Sequence, residues 1–301
     1  MRILATQPLP GPAWDELEQV EQVEQVELVE GWPPVRAQPG VDALVVVNQR
    51  VDDAVLDLLP DLRLVANYGV GYDQVDVAAC RARGVAVTNT PGVLDAAVAD
   101  LTLGLVLACL RRVVAGDRLV RESRWRRGWA QPEMLGRDLA GATLGLVGLG
   151  RIGSAVARRA DVFGMRVIHH RRSDGRPLDE LLREAEVVSL HVPLSDETKG
   201  LISRERLALL RDGATLVNTA RGPVVDEDAL VDEVGSGRLW AGLDVFVHEP
   251  HVPERLLGLP NVVLTPHIGS ATVETRAAMT RVVVDNLLAA ARGQPLPSPV
   301  Y

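Results

Sequence analysis

The chain has 301 residues, 47% of them hydrophobic and 24% charged, with a formal net charge of −8. That is enough length and apolar content for one large or two medium globular domains. The acidic balance argues against a nucleic-acid partner, which would call for a basic face or run, and the short apolar stretch of MRILATQPLPG is no signal peptide, so a cytoplasmic protein that engages no membrane is expected.

Residues 1–90 alternate apolar runs with helical patterns: RILAT, AWDELEQV, VDALVVV, DDAVLDLL, LRLVANYG, VDVAACRARG and VAVTNT. This β/α rhythm predicts a parallel sheet covered by helices. EQVEQVEQVELVE, residues 18–30, repeats valine every three positions and reads as a solvated edge passing from helix to strand. From Val93 to about Arg121 the apolar spacing predicts one helix that carries the chain out of the first domain. Cys80 and Cys109 lie in apolar helical stretches without metal-ligand spacing, so they read as buried thiols of a reducing compartment and no metal is expected.

A second β/α series follows. Its six strands, in ATLGLVG, MRVIHH, EVVSLHV, ATLVNTA, LWAGLDVF and NVVLTPH, predict a doubly wound sheet. One more long helix, ATVETRAAMTRVVVDNLLAAARG, precedes a proline-rich tail. If that helix returns to the first domain, residues 1–93 and 272–301 form one discontinuous domain, 94–271 form an inserted one, and a cleft lies between them.

Gly148, Gly150 and Gly153 satisfy GxGxxG at the end of an apolar strand (143–147) and the opening of a helix. In that context the glycines make a tight turn, let the backbone approach a pyrophosphate and present helix N–H groups to it. The next strand ends at His170, where an acidic residue would hold the adenosine ribose of NAD. Arg171, Arg172 and Ser173 stand there instead, and guanidinium forks suit a 2′-phosphate. The position favours NADP over NAD; the plainer alternative is a solvated loop with NAD bound through Asp174.

Hydride chemistry at a carbonyl needs a substrate anchor, a proton donor and a group that orients the donor. Of the six histidines, His169 and His170 end the adenosine-side strand, His191 sits on a strand, and His248 and His251 lie in a polar loop. His267 follows the last strand, at the sheet end that faces ligand. Two other strand ends deliver Arg221 and, from WAGLDVFVHEP, Asp244 and Glu249. Arg221 can hold a carboxylate, and Glu249 beside His267 would favour its protonated form and fix its ring. A structural turn histidine and a structural ion pair are the plainer alternatives.

VGLGRIG, VNTARG, GLDVF followed by EP, and TPHIGS resemble, in order and approximate spacing, the D-isomer-specific 2-hydroxyacid dehydrogenases across essentially the whole chain. The resemblance implies α/β architecture, with a Rossmann nucleotide-binding domain inserted into a discontinuous flavodoxin-like substrate domain. It implies a catalytic trio of Arg221, Glu249 and His267, with His267 as acid/base. Gly148, Gly150, Arg151, Ile152 and Gly153 would meet the pyrophosphate, and Val192, Pro193 and Thr198 would line the same site. Thr219, Ala220, Asp244 and Gly269 would surround the nicotinamide. NYGVGYDQVD resembles the substrate loop, in which the N–H groups of Val70 and Gly71, beside Tyr68, would take the substrate carboxylate; a glycine-rich turn equally explains Gly69 and Gly71.

TPGVLDAAVADLTLGLVLACLRR, residues 90–112, looks most like the glyoxylate/hydroxypyruvate reductase branch, which often carries an Arg–Ser/Thr pair at Arg172–Ser173. The segment after Arg172 is shorter than the family's, and VHEP replaces the more usual acidic run. ESRWRRGWAQPEMLGRDL resembles a dimer arm, so a homodimer is expected, with Trp129 a candidate to reach the partner's site and Trp125 to pack at the interface. The implied activity is NADPH-preferring reduction of glyoxylate or hydroxypyruvate to a D-2-hydroxy acid, with cleft closure about 93–95 and 270–273. An NAD-dependent D-lactate or phosphoglycerate type dehydrogenase and a nucleotide-sensing corepressor-like protein are the alternatives; the intact trio favours an enzyme.

Overall fold

The computed structural model describes residues 1–17, 19–129 and 132–301. The chain divides into two compact units, Met1–Leu94 with Ser270–Tyr301, and Asp95–Gly269. In the first unit the chain runs β1 (Arg2–Ala5), α1 (Pro12–Leu17), β2 (Gln25–Leu28), β3 (Ala43–Val46), α2 (Asp53–Asp57), β4 (Leu64–Asn67), α3 (Val77–Ala82) and β5 (Ala86–Thr88). Its five strands are parallel in the order β2-β1-β3-β4-β5, the flavodoxin-like 2-1-3-4-5 arrangement. Strands β3 and β4 read ALVV and LVAN and are buried at every position, as a strand covered on both faces requires. The carboxylates of Asp52 and Asp76 accept from the Val55 and Ala79 N–H groups and so start α2 and α3. The C-terminal helix, Val273–Ala291, packs against α1 and β4 in this unit. Of the valine-repeat segment, Glu18 lies outside the described residues; the rest forms a turn and the edge strand β2.

The second unit contains α4 (Asp95–Leu110), α5 (Val113–Arg121), β6 (Thr143–Val147), α6 (Arg151–Val162), β7 (Arg166–Arg171), β8 (Asp174–Gly175), α7 (Leu178–Glu184), β9 (Val187–Leu190), α8 (Arg204–Leu207), β10 (Thr215–Asn218), α9 (Glu227–Gly235), β11 (Trp240–Leu243), α10 (Glu254–Leu257) and β12 (Val262–Leu264). The sheet order is β12-β11-β10-β9-β6-β7-β8, parallel except for the β7–β8 pair. Counted from β6 this is 3-2-1-4-5-6 with one strand added, and the order reverses between β6 and β9, where a dinucleotide binds such sheets.

Two expectations need correction. The run from Val93 to Arg121 is not one helix: α4 and α5 are separated at Arg112, which takes a left-handed conformation (φ 55°) with its guanidinium 4.7 Å from the Trp240 ring centroid. No glycine or proline announces that break, so periodicity runs through it; the cation–π contact offsets the cost of left-handed backbone. The sheet also has a seventh strand, because the short RRSDG segment folds into a hairpin in which His170 and Arg171 pair antiparallel with Gly175 and Asp174. Arg172 and Ser173 make the turn, and Gly175, at φ 91°, packs where a Cβ would lie 2.5 Å from the His169 carbonyl oxygen. Among the described residues no helix is long and apolar enough to cross a membrane.

Candidate active site

Six strand ends of the second unit carry the residues in question. At the end of β6, Gly148 has φ 98°, and a Cβ there would lie 2.6 Å from the His191 carbonyl oxygen. A Cβ on Gly153 would lie 2.2 Å from the Gly148 carbonyl oxygen, so only glycine lets α6 start this close to the strand. Gly150 is the N-cap of α6, has no side-chain cap, and faces open space. The uncapped first-turn N–H groups over Arg151, Ile152 and Gly153 fit a pyrophosphate.

The end of β7 places Arg171, Arg172 and Ser173 on the hairpin turn, all exposed. Arg171 lies 3.8 Å from Asp174, and Arg172 is ion-paired with Glu197. His170 holds the base of the hairpin through Nδ1 and the Arg176 carbonyl, 2.9 Å apart. After β9 come His191, Val192 and Pro193. His191 is half-buried against Ser189 (2.9 Å), and desolvation of its ring pushes its pKa down to about 4, so it reads as a neutral structural histidine. The Thr198 hydroxyl donates to the Pro193 carbonyl (2.6 Å) and accepts from the Ser195 N–H (2.8 Å), so it closes its own turn.

At the end of β10, the buried Asn218 side chain accepts from the Ala220 N–H (3.0 Å) and donates to the Arg221 carbonyl (2.9 Å). The Thr219 hydroxyl meets that of Thr102 on α4 at 3.0 Å. Asn218 therefore ties down the turn that carries Thr219, Ala220 and Arg221, a role that VNTARG does not disclose because Asn after a strand reads as a turn former. Gly222 follows, and a Cβ on it would lie 2.1 Å from the Phe246 carbonyl carbon. That close approach brings the Arg221 turn against the segment leading to Glu249. Gly222→Ala is expected to cost about 1–3 kcal/mol of stability and to lower kcat/KM, readable by urea unfolding and steady-state rates on the same sample.

Past β11, the Glu249 carboxylate accepts from the Phe246 N–H at 3.1 Å and lies 2.7 Å from Nδ1 of His267. Burial raises the Glu249 pKa, but the hydrogen bond and charge of His267, the Phe246 N–H and the charge of Arg221 outweigh it and hold the carboxyl below its ordinary value. Arg221, Glu249 and His267 are thus electrostatically one group. His267 has φ 52°, a left-handed conformation that a non-glycine residue keeps only where its surroundings enforce it. The enforcing group is Asp244, almost fully buried, whose Oδ1 accepts from the Thr265 hydroxyl (2.6 Å) and the Ile268 N–H (2.8 Å) and whose Oδ2 accepts from the Gly269 N–H (2.8 Å). Its backbone carbonyl accepts from the His267 N–H, 2.8 Å away. Burial raises the Asp244 pKa against these bonds. Asp244 is a brace for the His267 loop, with Oδ2 keeping room for another donor. Thr265, which sequence reasoning did not single out, completes the brace.

In the first unit Tyr68 is buried, with its hydroxyl donating to the Arg276 carbonyl at 2.9 Å, so its polar tip is spent on the C-terminal helix. Val70 and Gly71 follow on the loop after β4. Trp129 is 98% exposed, and the Trp125 indole donates to the Gly128 carbonyl. Burial pushes the Cys80 and Cys109 thiols up to about 11 and about 12, so neither is a nucleophile at neutral pH.

Residues 103–269 match the family pattern described as "D-isomer specific 2-hydroxyacid dehydrogenase, NAD binding domain". The chain belongs to this family. It is 48% identical over 270 residues to the glyoxylate reductase of Pyrococcus furiosus, covering 84% of this chain and 80% of that enzyme. A Thermus thermophilus protein of known structure superposes with a TM-score of 0.91 at 48% identity, covering 100% of both chains. The NADPH-dependent glyoxylate/hydroxypyruvate reductase of Sinorhizobium meliloti, solved in complex with NADP and malonate, superposes with a TM-score of 0.88 at 38% identity, covering 99% of this chain and 96% of that one. As a D-2-hydroxyacid dehydrogenase, the chain is an oxidoreductase of 2-oxo and D-2-hydroxy acids with a nicotinamide dinucleotide domain.

Proposed function

We propose that this dehydrogenase reduces glyoxylate and comparably small 2-oxo acids such as hydroxypyruvate, and prefers NADPH to NADH. The observation that carries the chemistry is the 2.7 Å contact of His267 Nδ1 with Glu249, with the Arg221 charge acting on the same carboxylate. The glycine cradle at Gly148, Gly150 and Gly153 fits a dinucleotide, since side chains at Gly148 and Gly153 would collide with backbone and the N-cap is open. A reduced dinucleotide held by this cradle would supply the hydride for the carbonyl carbon.

The chain's own residues handle the proton and the charge. In the doubly protonated ring of His267, Nδ1–H donates to Glu249 and Nε2–H gives its proton to the carbonyl oxygen, which completes the hydroxyl group and leaves a neutral ring. Arg221 holds the acid and polarises its carbonyl, and the N–H groups of Val70 and Gly71 take the carboxylate. The Asp244 brace keeps His267 aimed without adding a charge to the reacting atoms.

Arg171, Arg172 and Ser173 support the cofactor preference. Arg172 is paired with Glu197 in a contact exposed on both sides, and such pairs contribute at most about 1 kcal/mol. A 2′-phosphate, with a charge-assisted bond of roughly 1.5–3 kcal/mol, would displace Glu197. The test follows nicotinamide absorbance with glyoxylate and hydroxypyruvate, NADPH and NADH side by side. Arg172→Ala is expected to raise the KM for NADPH by about tenfold or more and to leave that for NADH nearly unchanged; equal effects on both would refute the preference.

A further inference from the structure

The loop after β4 is rich in glycine, and a peptide between glycines turns over at little cost. A turned peptide would present its carbonyl oxygen where an anion needs an N–H, so a carboxylate site on this loop requires something that stops the turning. The carbonyls are held one by one. Gly69 O accepts from the Asn67 side chain (3.0 Å) and from the Thr90 N–H (3.1 Å). Val70 O accepts from the Asn89 side chain (2.9 Å), and Gly71 O again from Asn67 (2.9 Å). In a trans peptide the N–H points opposite to its carbonyl, so these bonds fix the N–H groups of Val70, Gly71 and Tyr72. Among the described residues no group accepts from those three N–H groups.

The two asparagines are themselves held. Asn67 is 4% exposed, so its side chain has no freedom to leave. The Asn89 carbonyl accepts from the Ser298 hydroxyl (2.6 Å), and that hydroxyl accepts from the buried Asn286 of the C-terminal helix (2.9 Å). The proline-rich tail thus reaches the loop through Ser298 and Asn89.

We propose that Asn67 and Asn89 are positioning residues for substrate: they pin the carbonyls of residues 69–71 and so keep an N–H face turned toward the 2-oxo acid carboxylate. The inference rests on the reading that Val70 and Gly71 bind that carboxylate. Asn67→Asp keeps the shape but removes both donors and sets a charge beside the Gly69 and Gly71 carbonyl oxygens. Asn89→Ala removes a single pin at a less buried position and decides the matter if the first variant does not fold. Each is expected to raise the KM for glyoxylate by about tenfold, with kcat and the KM for NADPH nearly unchanged. Val70→Pro, which deletes one N–H outright, serves as the control for the site itself. If Val70→Pro raises the KM for glyoxylate while both asparagine variants leave it alone, the pinning is wrong and the loop remains the anion site. If Val70→Pro also leaves it alone, the loop is not the anion site and the pinning falls with it. A joint loss of kcat and cofactor affinity in the asparagine variants would mark them as merely structural and overturn the proposal.

Discussion

Exchanging His267 for glutamine is expected to lower kcat for 2-oxo acid reduction by about 10²–10⁴-fold, the range that a positioned general acid contributes. Glutamine retains a hydrogen-bonding tip and can contact Glu249, yet it has no proton to give at neutral pH. Cofactor affinity should survive, because among the described residues the glycine cradle at β6 and the hairpin at β7 share no hydrogen bond with His267. The check is a pair of measurements on one preparation: NADPH binding by fluorescence and single-turnover reduction of glyoxylate. Turnover equal to that of the unaltered enzyme would remove His267 from the acid/base role. The left-handed backbone at His267 gives a further reason to choose glutamine over glycine, since glycine would relieve the strain and mix two effects.

The trio was legible in the sequence because parallel strands announce themselves as apolar runs and their C-terminal ends carry the chemistry. VNTARG, GLDVF and TPHIGS end β10, β11 and β12, which lie side by side in the sheet, so three separated motifs predict one cluster. The glycine fingerprint was legible for a similar reason: Gly148 and Gly153 answer to backbone contacts that no other residue tolerates.

What stayed hidden was the use of polar side chains for local bracing. The hydroxyls of Thr198 and Tyr68, two candidate ligand contacts, are bonded to the Pro193 and Arg276 carbonyls. Asn67, Asn218 and Thr265 looked like turn formers or went unmarked, although they fix the backbone that presents Val70, Arg221 and His267. A hydroxyl or amide has the same identity whether it faces a ligand or a carbonyl a few residues away. Only the path of the backbone distinguishes the two. The helix break at Arg112 was hidden on other grounds: its side chain meets Trp240, far along the chain, and no local glycine or proline marks it.

Glu249→Gln should lower kcat by up to roughly 10⁴-fold, the scale seen when the carboxylate behind a catalytic histidine becomes an amide. An ionised carboxylate only accepts, so it selects the ring form with hydrogen on Nδ1; glutamine can donate instead and so lets the wrong tautomer settle. The same variant carries a stability signature with a defined sign. The Glu249 pKa lies below its ordinary value of 4.5 in the folded chain, because the His267 bond and charge, the Phe246 N–H and the Arg221 charge outweigh burial. A carboxyl shifted down on folding adds stability that is fully present above its unfolded pKa and is lost as the pH falls through the lower folded value. Thermal unfolding should therefore show a deficit for Glu249→Gln between about pH 6 and 7 that narrows below about pH 4. A deficit unchanged at pH 3 would mean that the carboxylate charge contributes nothing to the folded state, and that Glu249 orients His267 through shape alone.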